Sequence, residues 1–249
     1  MITETDGIIL KQTNIAHDRK MLVLLTRRFG KISAGTGLPA IGKKKSSLPL
    51  RPFTHGRYEL FHGRKIFNID GAETIESFYE IGENVDSFFC ASCALEFTDK
   101  ALMENMPAER VLDTLISLLR ILSARKTGFR SLLMIYQWKV LQHLGFMPGL
   151  NLCVKCGSGS GAAGLSISDG GVICESCRDS GTVNMRLLYD LKFDIIRTLR
   201  FIEKNEMEAF SHLAFREDTA KYLYEILKDY VLYHLDIEEL KSEAYISID

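Results

Sequence analysis

Four cysteines carry the clearest chemistry in this chain. Two residues stand between Cys153 and Cys156, as between Cys174 and Cys177, and 17 residues separate the pairs. A C-x2-C pair turns tightly enough to present two sulfurs to one ion, and two such pairs at this spacing supply the four thiolates of tetrahedral Zn2+. A shell closed by four protein ligands leaves no position for water. The expectation is therefore one structural zinc ion that braces the chain and performs no catalysis. A redox dithiol pair and thiols without metal are the open alternatives. A third C-x2-C pair, Cys90 and Cys93, lies in an apolar helical pattern with no second ligand pair nearby, and reads as buried thiols.

The surrounding pattern indicates what must hold the cysteines in place. Leu165 to Ser168 and Gly171 to Ile173 alternate apolar and polar residues around Asp169-Gly170, which predicts a hairpin and hence a zinc ribbon over 150–183. The run Gly157 to Gly164 reads as a flexible connector. Helical periodicity sets in at Glu83, with Val85, Phe88, Phe89, Ser92, Leu95 and Leu102 as the apolar stripe and Pro107 as the stop. A second helix is expected over about Glu109 to Ser123. A third runs from about Arg130 to Leu144 and ends at Gly145. Beyond the ribbon, Asn184 reads as the N-cap of a helix over Leu187 to Ile202. Arg216 to Leu235 forms a last amphipathic helix, and the acidic end from Asp236 looks peripheral.

Before the helices, five short strands are expected: Gly7–Thr13, Lys20–Thr26, Lys31–Gly35, Arg57–Phe61 and Lys65–Ile69. Gly30 and Gly63 would supply positive φ in two hairpins. The stretch Leu38 to Pro52, with Lys43, Lys44 and Lys45 at its centre, reads as a mobile basic loop. The fold class is α+β multidomain: a small five-stranded barrel resembling an OB-fold over 1–78, then a mainly helical domain over 79–249 that carries the ribbon.

Charge divides along the same line. Residues 1–71 hold 13 Lys or Arg against 5 Asp or Glu, whereas the whole 249-residue chain has a net charge of −1. A cationic barrel suits a polyanion, because phosphate contacts release counterions. The expected nucleic-acid contacts are Lys11, Arg19, Lys20, Arg27, Arg28, Lys31, Lys43, Lys44, Lys45, Arg51 and Arg57, with Phe29, Phe53, Tyr58 and Phe61 as stacking surfaces. The composition, 46% hydrophobic and 25% charged, is that of a folded protein. The N-terminus lacks the features of a secretory signal and no apolar run approaches a membrane span, so a cytoplasmic protein with reduced cysteines is expected. No phosphate-binding glycine loop, acidic metal pair or nucleophile–histidine motif appears, which argues against an enzyme. A zinc-ribbon transcriptional regulator is the alternative, although no helix rich in Arg, Asn or Gln follows a helix-turn-helix pattern.

Three stretches together give the chain a family likeness. They are Gly7-Ile-Ile-Leu-Lys11 with the turn Phe29-Gly30-Lys31 and the loop running into Leu50-Arg51-Pro52-Phe53, the helix end Leu141 to Pro148, and the cysteine segment directly after it. In these the chain resembles the bacterial DNA repair and recombination mediator family RecO over essentially its whole length. The resemblance implies an N-terminal OB-fold, a helical domain and a zinc-binding insertion. It also implies binding of single- and double-stranded DNA, annealing of complementary strands, and cooperation with RecR to load RecA onto strands coated by single-stranded-DNA-binding protein (SSB), in association with the nucleoid during repair. Members capture the acidic, apolar tail of SSB in the helical domain. Leu115, Leu119, Arg120, Arg125, Lys126 and Arg130 are the residues expected to line such a pocket here.

Overall fold

A computed structural model describes residues 2–15, 20–36, 48–63, 66–159 and 161–245. The chain forms two compact units, one of residues 1–129 with 240–248 and one of residues 130–239.

The first unit is built on a closed five-stranded barrel of β1 (Ile2–Asn14), β2 (Lys20–Thr26), β3 (Gly30–Thr36), β4 (Thr54–His62) and β5 (Phe67–Ser77), in the order β1-β2-β3-β5-β4. This is the expected OB-fold, with β3 and β5 paired in parallel from Ala34↔Phe67 to Thr36↔Ile69. Alternation directs Leu22, Leu24, Ile32, Ala34, Tyr58 and Leu60 inward to one core. β1 and β5 are longer than their alternation suggests because each serves two partners. The first half of β1 pairs with β4 (Ile2↔Phe61 to Ile8↔His55), and the second half with β2 up to Asn14↔Lys20. The two pairings overlap at Gly7 and Ile8, and the register shift between Ile9 and Lys11 falls within the β1–β2 pairing just past the last β4 partner.

The β2–β3 turn requires its glycine twice over. Gly30 has φ +65, and a Cβ there would collide with the Met106 carbonyl. Gly63 differs from expectation: its φ lies outside the left-handed region, and its need is for space, a Cβ there standing 2.8 Å from the Ile66 carbonyl oxygen. Lys43, Lys44 and Lys45 lie outside the described residues, as does Arg19. The end of that loop is pinned to the barrel rather than mobile. Gln12 donates to the Leu50 carbonyl at 2.6 Å, and the Tyr58 hydroxyl donates to that of Pro49 at 2.7 Å.

Two helices pack on the barrel, α1 (Val85–Ala101) against β1 and α2 (Glu109–Ala124) against β2. α2 buries the expected stripe of Val111, Leu112, Leu115, Leu118, Leu119 and Leu122. The face of α1 is phased differently from expectation. Its buried residues are Ser87, Cys90, Ala91, Cys93, Ala94, Leu95, Phe97 and Thr98, whereas Val85 is 69% and Phe88 42% exposed. Small side chains permit close approach, so the bulky residues are displaced outward. The helix ends at Ala101, where Leu102 turns extended, several residues before Pro107. The acidic end is not peripheral throughout: Glu96 on α1 accepts from the Lys241 and Ser242 amides, each at 3.0 Å, and Leu240 is buried.

Arg27 in the β2–β3 turn ties the barrel to α2. Its Nε lies 3.1 Å from Asp6, Nη1 2.9 Å from Glu109 and Nη2 2.8 Å from Asp113, while His55 Nε2 is 2.8 Å from Asp6. Burial alone would raise the Asp6 carboxyl, but the His55 hydrogen bond and the Arg27 charge together hold it below the usual carboxylate range. A carboxylate lowered in the native state stabilises fully above its unfolded value of about 3.9, and that stabilisation disappears as pH falls through the lower native value. Arg27→Ala should therefore cost about 1–3 kcal/mol at pH 7. In urea unfolding the gap from the unsubstituted protein should narrow as pH is brought below about 4. A gap that widens there would contradict this coupling.

In the second unit α3 (Phe129–His143) is buried on every side through Leu132, Leu133, Tyr136, Trp138 and Leu141. Lys139, only 2% exposed, donates to Gln142 Oε1 at 2.7 Å and reaches the Ile202 carbonyl at 3.5 Å, at the C-terminal end of α5 (Ile195–Lys204). The helix expected from Leu187 starts only at Ile195. Asn184 caps a 3-10 turn over Met185–Leu187 instead, and a short strand β8 (Leu188–Tyr189) follows. α6 (Glu217–Leu235) packs Tyr230 against Trp138, with ring centroids 5.4 Å apart.

Candidate metal centre and cationic surface

The cysteines are positioned by a hairpin of β6 (Ala162–Ser166) and β7 (Gly171–Cys174), which turns at Asp169-Gly170 as expected, with Gly170 at φ +73. β8 pairs on the free side of β6. The first cysteine pair sits in a knuckle closed by Gly157 N–H donating to the Cys153 carbonyl at 2.8 Å. Val154 N–H reaches across to the Val172 carbonyl at 3.0 Å. In the second pair Cys174 ends β7 and precedes the short helix α4 (Glu175–Asp179), which carries Cys177 one turn on. Ile173 and Val183 cover Cys153 and Cys174 from below.

This arrangement brings all four sulfurs within 4.8 Å of one another, with Cys156 Sγ and Cys174 Sγ 3.7 Å apart. A tetrahedron with metal–sulfur bonds of about 2.3 Å has edges of about 3.8 Å, so the set fits one ion with little movement. Backbone N–H groups of Cys156 and Cys174 lower the Cys153 thiol to about 6, whereas the hydrogen bond with Cys156, then burial, push Cys177 up to about 12. Sulfurs this close cannot all ionise without a cation among them.

The ribbon is anchored to α6 and offers little positive charge. His234 Nε2 lies 2.9 Å from the Ile167 carbonyl oxygen, and the Tyr189 hydroxyl donates to Asp229 at 2.6 Å. Lys155 is paired with Asp169 at 3.4 Å and Arg178 with Asp179 at 2.9 Å.

Cys90 and Cys93 are fully buried. The Cys90 thiol donates to the Phe129 carbonyl at 3.3 Å, and burial, then Glu243 and Glu96, push Cys93 up to about 12. A buried protonated thiol is a poor nucleophile. In the native chelator-treated protein, iodoacetamide is expected to label Cys153, Cys156, Cys174 and Cys177 and to spare Cys90 and Cys93 in peptide mass spectra. Equal labelling of all six would contradict this division.

The barrel cations fall into two groups. Lys11, Arg28, Arg51 and Arg57 are exposed, and Lys20 is half-buried, 3.4 Å from Gln12 Oε1. Arg27 and Lys31 are engaged, Arg27 with three carboxylates and Lys31 with Asp99 at 3.4 Å. Among the aromatics, Phe61 is exposed, Phe29 packs on Phe67 and Tyr58 lies in the core. Phe53 is half-buried, edge-on to Phe88 with centroids 5.5 Å apart.

The residues expected to receive an acidic tail differ in exposure. Leu115 and Leu119 have no exposed surface, Arg120 grips Glu76 through three hydrogen bonds of 2.9, 3.0 and 2.6 Å, and Arg125 donates to the Thr127 carbonyl. Lys126 is exposed, and Arg130, in the other unit, stands 4.6 Å over the Tyr224 ring. The cavity that sequence reasoning missed lies between β1, the end of the basic loop and α1, lined by Phe53 and Phe88. Of its lining, Lys11 and Phe53 were expected as a contact and a stacking surface, whereas Phe88 was expected in the buried stripe of its helix.

No helix among the described residues is long and apolar enough to cross a membrane. The family model for the recombination protein O N-terminal region matches residues 1–78, and that for the C-terminal region matches 82–244. The chain is 26% identical to the DNA repair protein RecO of Alkaliphilus metalliredigens over 95% of both proteins. It is 26% identical to that of Thermoanaerobacter sp., over 99% of this chain and 97% of the other. With the RecO of Bacillus pumilus it shares 33% over 71% of this chain and 69% of that protein. With the two models together matching nearly the whole chain, it belongs to the recombination protein O family of DNA repair proteins.

Proposed function

We propose that this protein is a non-enzymatic mediator of homologous recombination. It binds single- and double-stranded DNA through the barrel of residues 1–78 and anneals complementary strands. With RecR it helps to load RecA onto strands coated by SSB. The observation that carries this reading is family membership over nearly the whole chain, joined to a closed OB barrel with exposed cations. Annealing requires a surface that screens the repulsion of two phosphate backbones, and Lys11, Arg28, Arg51 and Arg57 supply charge not spent on acidic neighbours among the described residues. Arg27 and Lys31 act instead as braces.

Residues 79–249 form the helical domain in this reading, and the four thiolates of the 150–183 ribbon hold zinc. Zinc suits them because soft sulfur ligands in a closed tetrahedral set favour it and leave no site for activating water. The acidic tail of SSB is received by the helical domain. Since Leu115 and Leu119 present no surface, Arg125 and Lys126 at the end of α2 remain as the cationic part of that contact. The protein works in the cytoplasm, at the nucleoid.

Mixing the purified protein with complementary oligonucleotides, one carrying a fluorophore and the other a quencher, tests this. Annealing should accelerate without nucleotide and fade as salt rises. Strands that pair no faster than in buffer would sink the proposal.

A further inference from the structure

We propose that the cavity between the barrel and α1 is a pocket for one unpaired DNA base and its phosphate. The inference rests on the DNA-binding reading and adds to it a means of distinguishing unpaired from paired strands.

The cavity has a volume of about 400 Å³, within the roughly 300–1,000 Å³ of sites that hold a small ligand. Leu10, Pro52, Phe53, Phe88 and Leu95 give it apolar walls, and the Ser92 hydroxyl offers a hydrogen bond to a base edge, while that of Ser242 donates to Glu96 at 3.1 Å and can only accept. Phe53 and Phe88 meet edge to face, which orients two rings at right angles beside the opening. Phe88 is exposed although it belongs to a helix with a well-buried face. Phe53 holds φ +58, a left-handed conformation that costs an aromatic residue about 1 kcal/mol or more and that accumulates at binding sites. The Phe78 amide donating to the Phe53 carbonyl at 3.0 Å keeps it there.

Charge selects the occupant. Both acids of the lining are already engaged, Glu96 with Lys100 and the amides of 241 and 242, and Asp99 with Lys31. Lys11 and Lys241, also in the lining, form no ion pair among the described residues. The uncompensated charge is therefore positive and adjoins apolar walls, which matches a nucleotide's flat ring and phosphate. Lys11 belongs to the exposed barrel cations, so the pocket continues the surface that would track the backbone. A base paired in a duplex cannot enter it.

The test uses the full chain and a thymidine oligonucleotide bearing 5-iododeoxyuridine. Irradiation should attach the probe to Phe53 or Phe88, as located by peptide mass spectrometry. Phe88→Ala should lose at least about fivefold in single-strand affinity, the low end for removing a stacking ring. Its duplex affinity should change less than twofold, and Phe88→Tyr should keep the affinity of the unsubstituted protein. Cross-links confined to other residues, or equal losses for single and double strands in Phe88→Ala, would overturn the pocket while leaving DNA binding intact. A parent protein that binds neither strand form would overturn the DNA-binding reading and the pocket with it.

Discussion

Replacing Cys153 and Cys174 together by serine is expected to abolish metal binding and to lower stability by roughly 4–5 kcal/mol, at the top of the range for single-site changes. The expectation follows from how little else holds the knuckles. Cys153 and Cys174 are half of the ligand set and also half of the small buried cluster that they form with Ile173 and Val183. Structural zinc contributes about 10–16 kcal/mol to isolated finger peptides. The loss here should be smaller, because His234 and Tyr189 tether the ribbon to α6 independently of the metal. Metal content by mass spectrometry and thermal unfolding would be read together. Single-strand affinity should stay within about twofold, since the ribbon's Lys155 and Arg178 are spent on Asp169 and Asp179. A metal-free double variant that melts with the unsubstituted protein would refute the structural role.

The second large effect concerns the barrel. Each phosphate contact on a single strand contributes about 0.7 to the slope of log affinity against log salt. A Lys11→Ala, Arg51→Ala, Arg57→Ala triple variant should therefore reduce that slope by about 2. These side chains are exposed, so circular dichroism should not change. Arg27→Ala supplies the contrast: stability falls through Asp6, Glu109 and Asp113, yet the slope stays as it was. A triple variant with an unaltered slope would remove this face from the DNA site.

These contrasts also mark what could be read from the chain alone. The cysteine ligand set was legible because C-x2-C geometry is local and the hairpin between the pairs announces itself through Asp169-Gly170. The barrel was legible as five strands because Leu22, Leu24, Ile32 and Ala34 alternate faithfully with the pleat. The parallel β3–β5 pairing and the division of β1 between two partners depend on closure of the whole sheet, which no short window contains. α1 misled because its buried face, apart from Leu95 and Phe97, is made of cysteine, alanine, serine and threonine, so a stripe drawn through the bulky residues also took in the exposed Val85 and Phe88. Charge was legible only as a sum. Which cations are spent depends on partners far away in sequence, such as Glu109 and Asp113 for Arg27, or Asp99 for Lys31. The docking of Ser242 on Glu96 is another contact of this kind, made between the two ends of one unit.

The central claim is that DNA is held by barrel cations through its backbone. Its most direct test is an equilibrium titration of the unsubstituted protein with a labelled single strand at a series of salt concentrations. Four contacts from Lys11, Arg28, Arg51 and Arg57 alone give a log–log slope of about −3, and a slope at least that steep is the expected result. Affinity that is absent at low salt, or that does not change with salt, would contradict the account.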